Sequence, residues 1–199
     1  MATSEQTASS RRPRPDFGAL QDVAFQQSGY FTTRQAAEVG YSPQALRKHL
    51  ITGRIERIQH GIYRVSRFPA SEREQLVVVW LWTDRQGVLS HETALAAHGL
   101  SDTLPNRIFV TLPDSWRGRR LRVPPVVVLH FAGVADADRT WMDAVPMTAV
   151  ARTLADCLES DVRLDLVRQA LGQAVQRGWL TAEQRGSLGD RLEAKEAGA

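Results

Sequence analysis

Gln44, Arg47 and Lys48 lie three and four positions apart, as an amide and two cations on the outer side of a short helix would. Arginine and lysine bond guanine edges or phosphates, and glutamine bonds adenine, so such a face suits a DNA major groove. Thr33, Arg34 and Ser42 stand just before these residues, and Arg54, Arg57, His60 and Arg64 just after. A solvated amphipathic helix is the plain alternative, because outward charges are common on any surface helix. A second cluster, Arg117, Arg119, Arg120 and Arg122, makes a local positive patch able to meet phosphate or an acidic partner. Its plain alternative is a solvated loop.

Other candidates point to packing. His91-Glu92 and His98 invite a metal reading, but histidines seven apart are about 10 Å apart along a helix, too far for one ion. Asp114 with Glu193-Ala194-Lys195 echoes a Mg²⁺ nuclease pattern, yet that E-x-K falls in a polar C-terminal tail instead of a core strand. Thr153 and Asp156 have no adjacent histidine or serine to suggest a triad. Cys157 is the one cysteine and sits in an apolar helical pattern, as a buried core thiol does. No catalytic residue, metal site or cofactor is assigned, and the chain reads as a binding protein, not an enzyme.

The elements that must carry the first cluster lie between Gly29 and Val65. Thr32 and Gln35 have capping-box spacing, so a helix starts there, runs through Ala36, Ala37 and Val39, and stops at Gly40. Ser42-Pro43 starts a second helix, to Thr52, with Leu46 and Leu50 as its buried stripe, Ala45 and His49 on the flank, and Ile51 projecting elsewhere. Helices joined so closely must cross, which is the helix-turn-helix arrangement. Arg54–Gln59 and Ile62–Val65 then read as strands around a His60-Gly61 turn. With a support helix from Phe17 to Gln27, residues 17–68 make a winged helix-turn-helix domain.

Residues 1–16 are polar and aperiodic, as a disordered tail is. Within them Arg11-Arg12-Pro13-Arg14 suits a basic arm on phosphates, or a plain flexible leader. A polar connection, Ser66–Glu74, leads to a second domain over residues 72–195. It begins with a buried helix, Gln75–Trp82, capped by Ser71, then an extended Val88-Leu89 and a helix His91–His98 with Ser90 as its cap. Asn106–Leu112 and Val126–Phe131 read as strands, Trp141–Val145 as a third, and Pro146–Thr148 as the lead into a helix holding Val150, Leu154 and Leu158. Residues 161–177 and Thr181–Leu192 give two last helices with a frayed, charged end. The fold class is α+β: a winged helix-turn-helix followed by a mixed α/β domain with a small sheet and several helices.

Charge follows this division. Residues 1–70 hold ten Arg/Lys against five Asp/Glu, and residues 71–199 hold 15 against 17. The basic excess therefore lies with the DNA-reading motif, as phosphate neutralisation requires. No run approaches the ~20 apolar residues of a membrane span, and no secretory h-region stands at the start, which implies a cytoplasmic protein without membrane contact.

The same stretch resembles the N-terminal winged helix of the AbiEi antitoxins of type IV toxin–antitoxin systems. An F-T-x-x-Q-A helix is followed by G-x-(L/I)-x-R-(V/I)-x-x-G-(V/I)-Y-R, matched here by Gly53, Ile55, Arg57, Ile58, Gly61, Ile62, Tyr63 and Arg64. The second half is similar at Leu89–Leu95 with His98-Gly99-Leu100, at Thr111-Leu112-Pro113, at Val145–Thr148 and at Arg152–Asp156, so the likeness covers residues 28–160. It implies a two-domain bacterial protein whose winged domain binds double-stranded DNA at its own promoter and represses it. Its C-terminal domain would counter a nucleotidyltransferase toxin, in many relatives without a stable complex. An orphan regulator or a protein-interaction module is the rival reading, with Arg57 and Arg64 bracing the wing.

Overall fold

Asp16 begins the first helix. Its backbone is extended and its carboxylate accepts from the Ala19 amide at 3.2 Å, so α1 (Phe17–Phe25) starts there. Asp16 is therefore a helix cap, not part of a tail. The computed structural model describes residues 14–69, 72–100 and 105–198, so Arg11, Arg12 and Pro13 of the expected basic arm lie outside them. The chain forms two units that divide between Ser71 and Glu72.

In the first unit α1 stops two residues before Gln27. The chain turns through Ser28 (φ 54°) and Gly29 (φ 90°) into β1 (Tyr30–Thr32), a strand that the sequence pattern does not announce. Thr32 then caps α2 (Thr33–Glu38): its hydroxyl accepts from the Gln35 amide at 3.2 Å, and the Gln35 side-chain oxygen accepts from the Thr32 amide at 2.9 Å. Ser42 caps α3 (Pro43–Ile51) by accepting from the Ala45 amide at 3.2 Å, with Pro43 in the first turn. β2 (Ile55–Gln59) and β3 (Ile62–Val65) form the wing, with Gly61 at φ 76° in the turn and a register shift between Arg57 and Gln59. β3 also pairs antiparallel with β1, giving the order β1-β3-β2. Leu20, Ala24, Phe31, Ala36, Tyr41, Leu46, Ile55 and Val65 close a single small core.

The second unit opens with α4 (Glu74–Trp82), buried at Val77 through Leu81. Its cap position is Arg73, without a side-chain bond, so the Ser71 cap is corrected, and Ser71 itself lies outside the described residues. β4 (Val88–Leu89) leads into α5 (His91–Ala97), and Ser90 makes no cap bond there. β5 (Ile108–Leu112) and β6 (Val127–Phe131) are parallel. The expected third strand is a hairpin of two, β7 (Arg139–Met142) and β8 (Val145–Thr148), so Pro146–Thr148 is strand and not helix lead-in. The proline stands opposite Trp141 in β8, next to the edge strand in the sheet order β6-β5-β4-β8-β7.

Three helices complete this unit: α6 (Val150–Glu159), α7 (Leu164–Gln176) and α8 (Ala182–Ala197). Leu154, Cys157 and Leu158 of α6 pack with Leu95, Val167, Ala170, Ala174, Leu188 and Leu192 in one apolar core. The last helix does not fray where its charges begin. Lys195 donates to the carbonyls of Leu158 and Ser160, both at 2.6 Å, covering the open end of α6. The E-x-K of the sequence is thus a helix clamp rather than a tail.

Gly29 is the tightest backbone point of the winged unit. A Cβ there would lie 2.4 Å from the Phe68 ring, and φ of 90° already disfavours any side chain. Gly29→Ala should destabilise this unit by about 1–3 kcal/mol. All five tryptophans fall after residue 72 and all three tyrosines before it, so the two units report separately. Tyrosine-monitored urea unfolding should shift to lower denaturant while the tryptophan transition stays in place; an unmoved tyrosine transition would contradict this packing.

Candidate nucleic-acid interface

α3 has two distinct sides. Leu46 is buried, with Ala45, His49 and Leu50 half-buried beside it. His49 stacks on Phe17 at 4.9 Å and meets the Tyr41 ring edge at 5.4 Å. Burial, aided by the charges of Arg54 and Lys48, lowers its pKa, so it sits neutral under the helix. Gln44, Arg47, Lys48 and Ile51 form the other side and are exposed, at the i, i+3, i+4, i+7 spacing of one helical face. Among the described residues, none forms a hydrogen bond or ion pair with the side chains of Gln44, Arg47 or Lys48; the Thr52 hydroxyl donates to the Lys48 carbonyl.

The flanking candidates differ from these in being engaged. Thr33 donates from its amide to the Gly61 carbonyl at 2.9 Å, and its hydroxyl lies 3.3 Å from the same oxygen, which ties α2 to the wing turn. Arg34 pairs with Glu38 at 3.7 Å along the helix, both exposed. The Ser42 hydroxyl is occupied as a cap. Arg54 lies 5.5 Å over the Phe17 ring, and Arg57 meets the His60 ring nitrogen at 3.0 Å on the wing. Arg64 is half-buried and donates to Glu56 at 2.8 Å, with Tyr30 as a further partner that helps raise its pKa. The Arg64–Glu56 pair joins facing positions of β3 and β2.

Two residues outside the sequence-based set share this surface. Ile51 is 78% exposed, an isolated apolar side chain in line with Arg47 and Lys48. Its position in the i, i+7 series was the available signal. Arg67 is exposed and, with Phe17, Gln21, Thr52 and Arg54, lines a notch of about 470 Å³ that contains no carboxylate. No local pattern marks Arg67, since it follows the last strand.

Residues 19–66 match the family model described as transcriptional regulator, AbiEi antitoxin. The match covers 48 of the 199 residues, all of them in the N-terminal unit. The matched segment runs from α1 to the end of β3 and contains every residue of the exposed α3 face. No curated protein matches the chain.

The second unit holds a different cluster. A cleft of about 490 Å³ opens beside the carboxyl ends of β5 and β6, lined among others by His91, Thr111, Arg117, His130, Arg152 and Asp156. The His91 and His130 rings stack at 3.6 Å. His98, considered with His91 as a metal pair, instead donates to the Thr148 carbonyl at 2.8 Å, and no group of three or more metal-binding side chains gathers among the described residues. In the arginine loop, Arg117 donates to Asp114 and to the Phe131 carbonyl, Arg119 lies 4.2 Å over Trp116, and Arg120 and Arg122 are exposed. Thr153 bonds Thr148, and Asp156 bonds Arg152. Burial raises the Cys157 thiol far above its ordinary range, leaving it inert.

Burial also sets how this unit responds to acid. It pushes His91 down to about 3 and lowers His98 and His130, so all three are neutral when folded. In the unfolded chain such rings protonate near 6.5. The unfolded state therefore binds more protons below that pH. Stability is full above it and falls as pH drops, by up to about 1.4 kcal/mol per pH unit for each histidine. Asp156, raised by burial, opposes this only as pH falls through its own raised pKa. Tryptophan-monitored unfolding should show a midpoint that drops between pH 7 and 5; a flat midpoint would place these rings in water.

Proposed function

We propose that this chain is a DNA-binding transcriptional repressor that autoregulates its own operon. In the same reading its C-terminal unit makes it the antitoxin of a type IV, abortive-infection system directed against a nucleotidyltransferase toxin. The protein acts in the cytoplasm, as a binding protein and not an enzyme, in defence against phage. The observation that carries the DNA-binding reading is the α3 face. It holds two cations and an amide, exposed and without a partner among the described residues, on a helix whose caps and core are already satisfied. The likeness of residues 19–66 to that family model supports the regulator role.

In this reading Gln44, Arg47 and Lys48 enter the major groove. Thr33, Arg34 and Ser42 lie along the groove edge, and Arg54, Arg57 and His60 meet phosphates from the margin and wing. Arg64 holds the wing in shape. Antagonism of the toxin belongs to the second unit, with the Arg117–Arg122 loop as a further basic patch.

Arg47→Ala with Lys48→Ala should weaken binding to the upstream duplex by at least about tenfold. The slope of log affinity against log salt should flatten by about 0.9 for every phosphate that is no longer neutralised. Gel shifts over a salt series on the chain's own upstream region read both; unchanged affinity removes α3 from the interface. Ile51, too isolated for a protein interface of ordinary size, is suited to the methyl group of a thymine. Replacing thymines one by one with deoxyuridine in the bound site should find a position where wild-type affinity falls roughly fourfold, the worth of one buried methyl. Ile51→Ala should be insensitive at that position. Equal sensitivity of both proteins at every thymine would refute the contact.

A further inference from the structure

The chemically richest part of the second unit is the cleft beside β5, β6 and α6. We propose that it binds a nucleoside phosphate, the base held inside by Asp156 and His91 and the phosphate outside at Arg117. This goes beyond the DNA-binding reading and does not depend on it.

Most charges of the cleft are already paired. Arg152 donates to Asp156 Oδ1 at 2.6 Å and approaches Asp138 at 3.6 Å, and Glu159 accepts from Arg191 at 2.8 Å. A bare ion is therefore not what the interior is built to hold. What remains is directional. Asp156 is 6% exposed, and its Oδ2 has no hydrogen-bond partner among the described residues; the buried Nε2 of His130 has none either. An orphaned buried polar group is costly to the fold, and a ligand supplying the missing partner recovers that cost.

His91 supplies the complementary group. Ser90 is fully buried and its hydroxyl accepts from Thr111 at 2.8 Å. The same hydroxyl lies 2.8 Å from His91 Nδ1, to which it can donate its own proton. In that arrangement the His91 proton sits on Nε2, and that atom is a donor. His91 holds this pose at φ 51°, a backbone conformation uncommon outside glycine. A carboxylate oxygen that can accept and an imidazole nitrogen that can donate, on two residues lining one cleft, are the kinds of group that a nucleobase edge pairs with, where a donor stands next to an acceptor. The cleft's volume of about 490 Å³ is within the range of small-ligand sites.

The mouth has the opposite character. Arg117 is 64% exposed at the side chain and is steadied by the Phe131 carbonyl at 2.8 Å and by the Phe131 ring at 5.3 Å. Its pairing with Asp114 is exposed, and exposed pairs are weak, so a phosphate can compete for it. The rest of the arginine loop, with Arg120 and Arg122 exposed, follows in the chain directly after. The cleft also lies at the carboxyl ends of two parallel strands, where sheets of this kind leave room for ligands.

The test is calorimetric titration of the full chain with the four ribonucleoside monophosphates, their nucleosides and inorganic phosphate. At least one monophosphate should bind below about 1 mM, its nucleoside roughly tenfold more weakly, and phosphate alone more weakly still. Arg117→Ala, at an exposed position, should abolish the advantage of monophosphate over nucleoside and leave nucleoside affinity unchanged. Asp156→Asn turns the acceptor into a donor and should cost about tenfold for both. Because Asp156 is buried, the same titration is followed by NMR in the unaltered protein, where the His91 Nε2 proton should shift on adding nucleoside. Failure of all four monophosphates to bind, phosphate binding as tightly as they do, or an Arg117→Ala protein that retains the full monophosphate advantage would overturn the proposal.

Discussion

Two glutamine side chains, buried side by side, hold the winged unit in register. Gln27 and Gln35 are 5% and 4% exposed and exchange amide hydrogen bonds at 2.9 and 3.2 Å. Gln27 also donates to the Tyr30 carbonyl at 3.0 Å, and the Gln35 oxygen accepts from the Thr32 amide. One network thus joins the end of α1, the strand β1 and the first turn of α2. A buried polar network stabilises only when its members find partners, so its geometry admits little drift. The angle at which α2 meets α1 follows from it, and α3, one short turn later, inherits that angle.

Several other side chains of the unit are held close to home. Thr33 is tied to the wing turn, Ser42 to the start of α3, Arg64 to Glu56, and His49 is sandwiched against aromatic rings. The outer side of α3 is the exception. Gln44, Arg47 and Lys48 stay available to a ligand because the inner side of the same helix is already satisfied by Leu46 and its neighbours.

In the second unit α6 has the corresponding position. Its Thr153 hydroxyl bonds both Thr148 and Ala149, its Arg152–Asp156 pair forms one wall of the cleft, and its open end is covered by Lys195 from α8. The same helix therefore carries the apolar core on one side and the cleft chemistry on the other.

Much of this was legible residue by residue. Both helix caps of the helix-turn-helix, the wing and its turn, the buried α4 and the core thiol all follow from patterns within four residues of one another, where sequence and geometry are directly linked. The exposed set of α3 was legible for the same reason. What failed was non-local. β1 is three residues long and exists because β3, some thirty positions later, pairs with it. The β7–β8 hairpin merged into one expected strand because Asp143-Ala144 carries no glycine or proline to mark the turn, and Asp143 instead takes a positive φ of 53°. Ser71 and Ser90 have the composition of caps, yet Arg73 takes one cap position and Thr111 with His91 claims the other hydroxyl. Local spacing determined the helices, their caps and the cationic face. Only tertiary contact decided that Arg64 pairs with Glu56, that His91 stacks on His130, and that Asp156, with one oxygen unpartnered, lines a cleft, because burial and partnership come from chain segments that no short pattern connects.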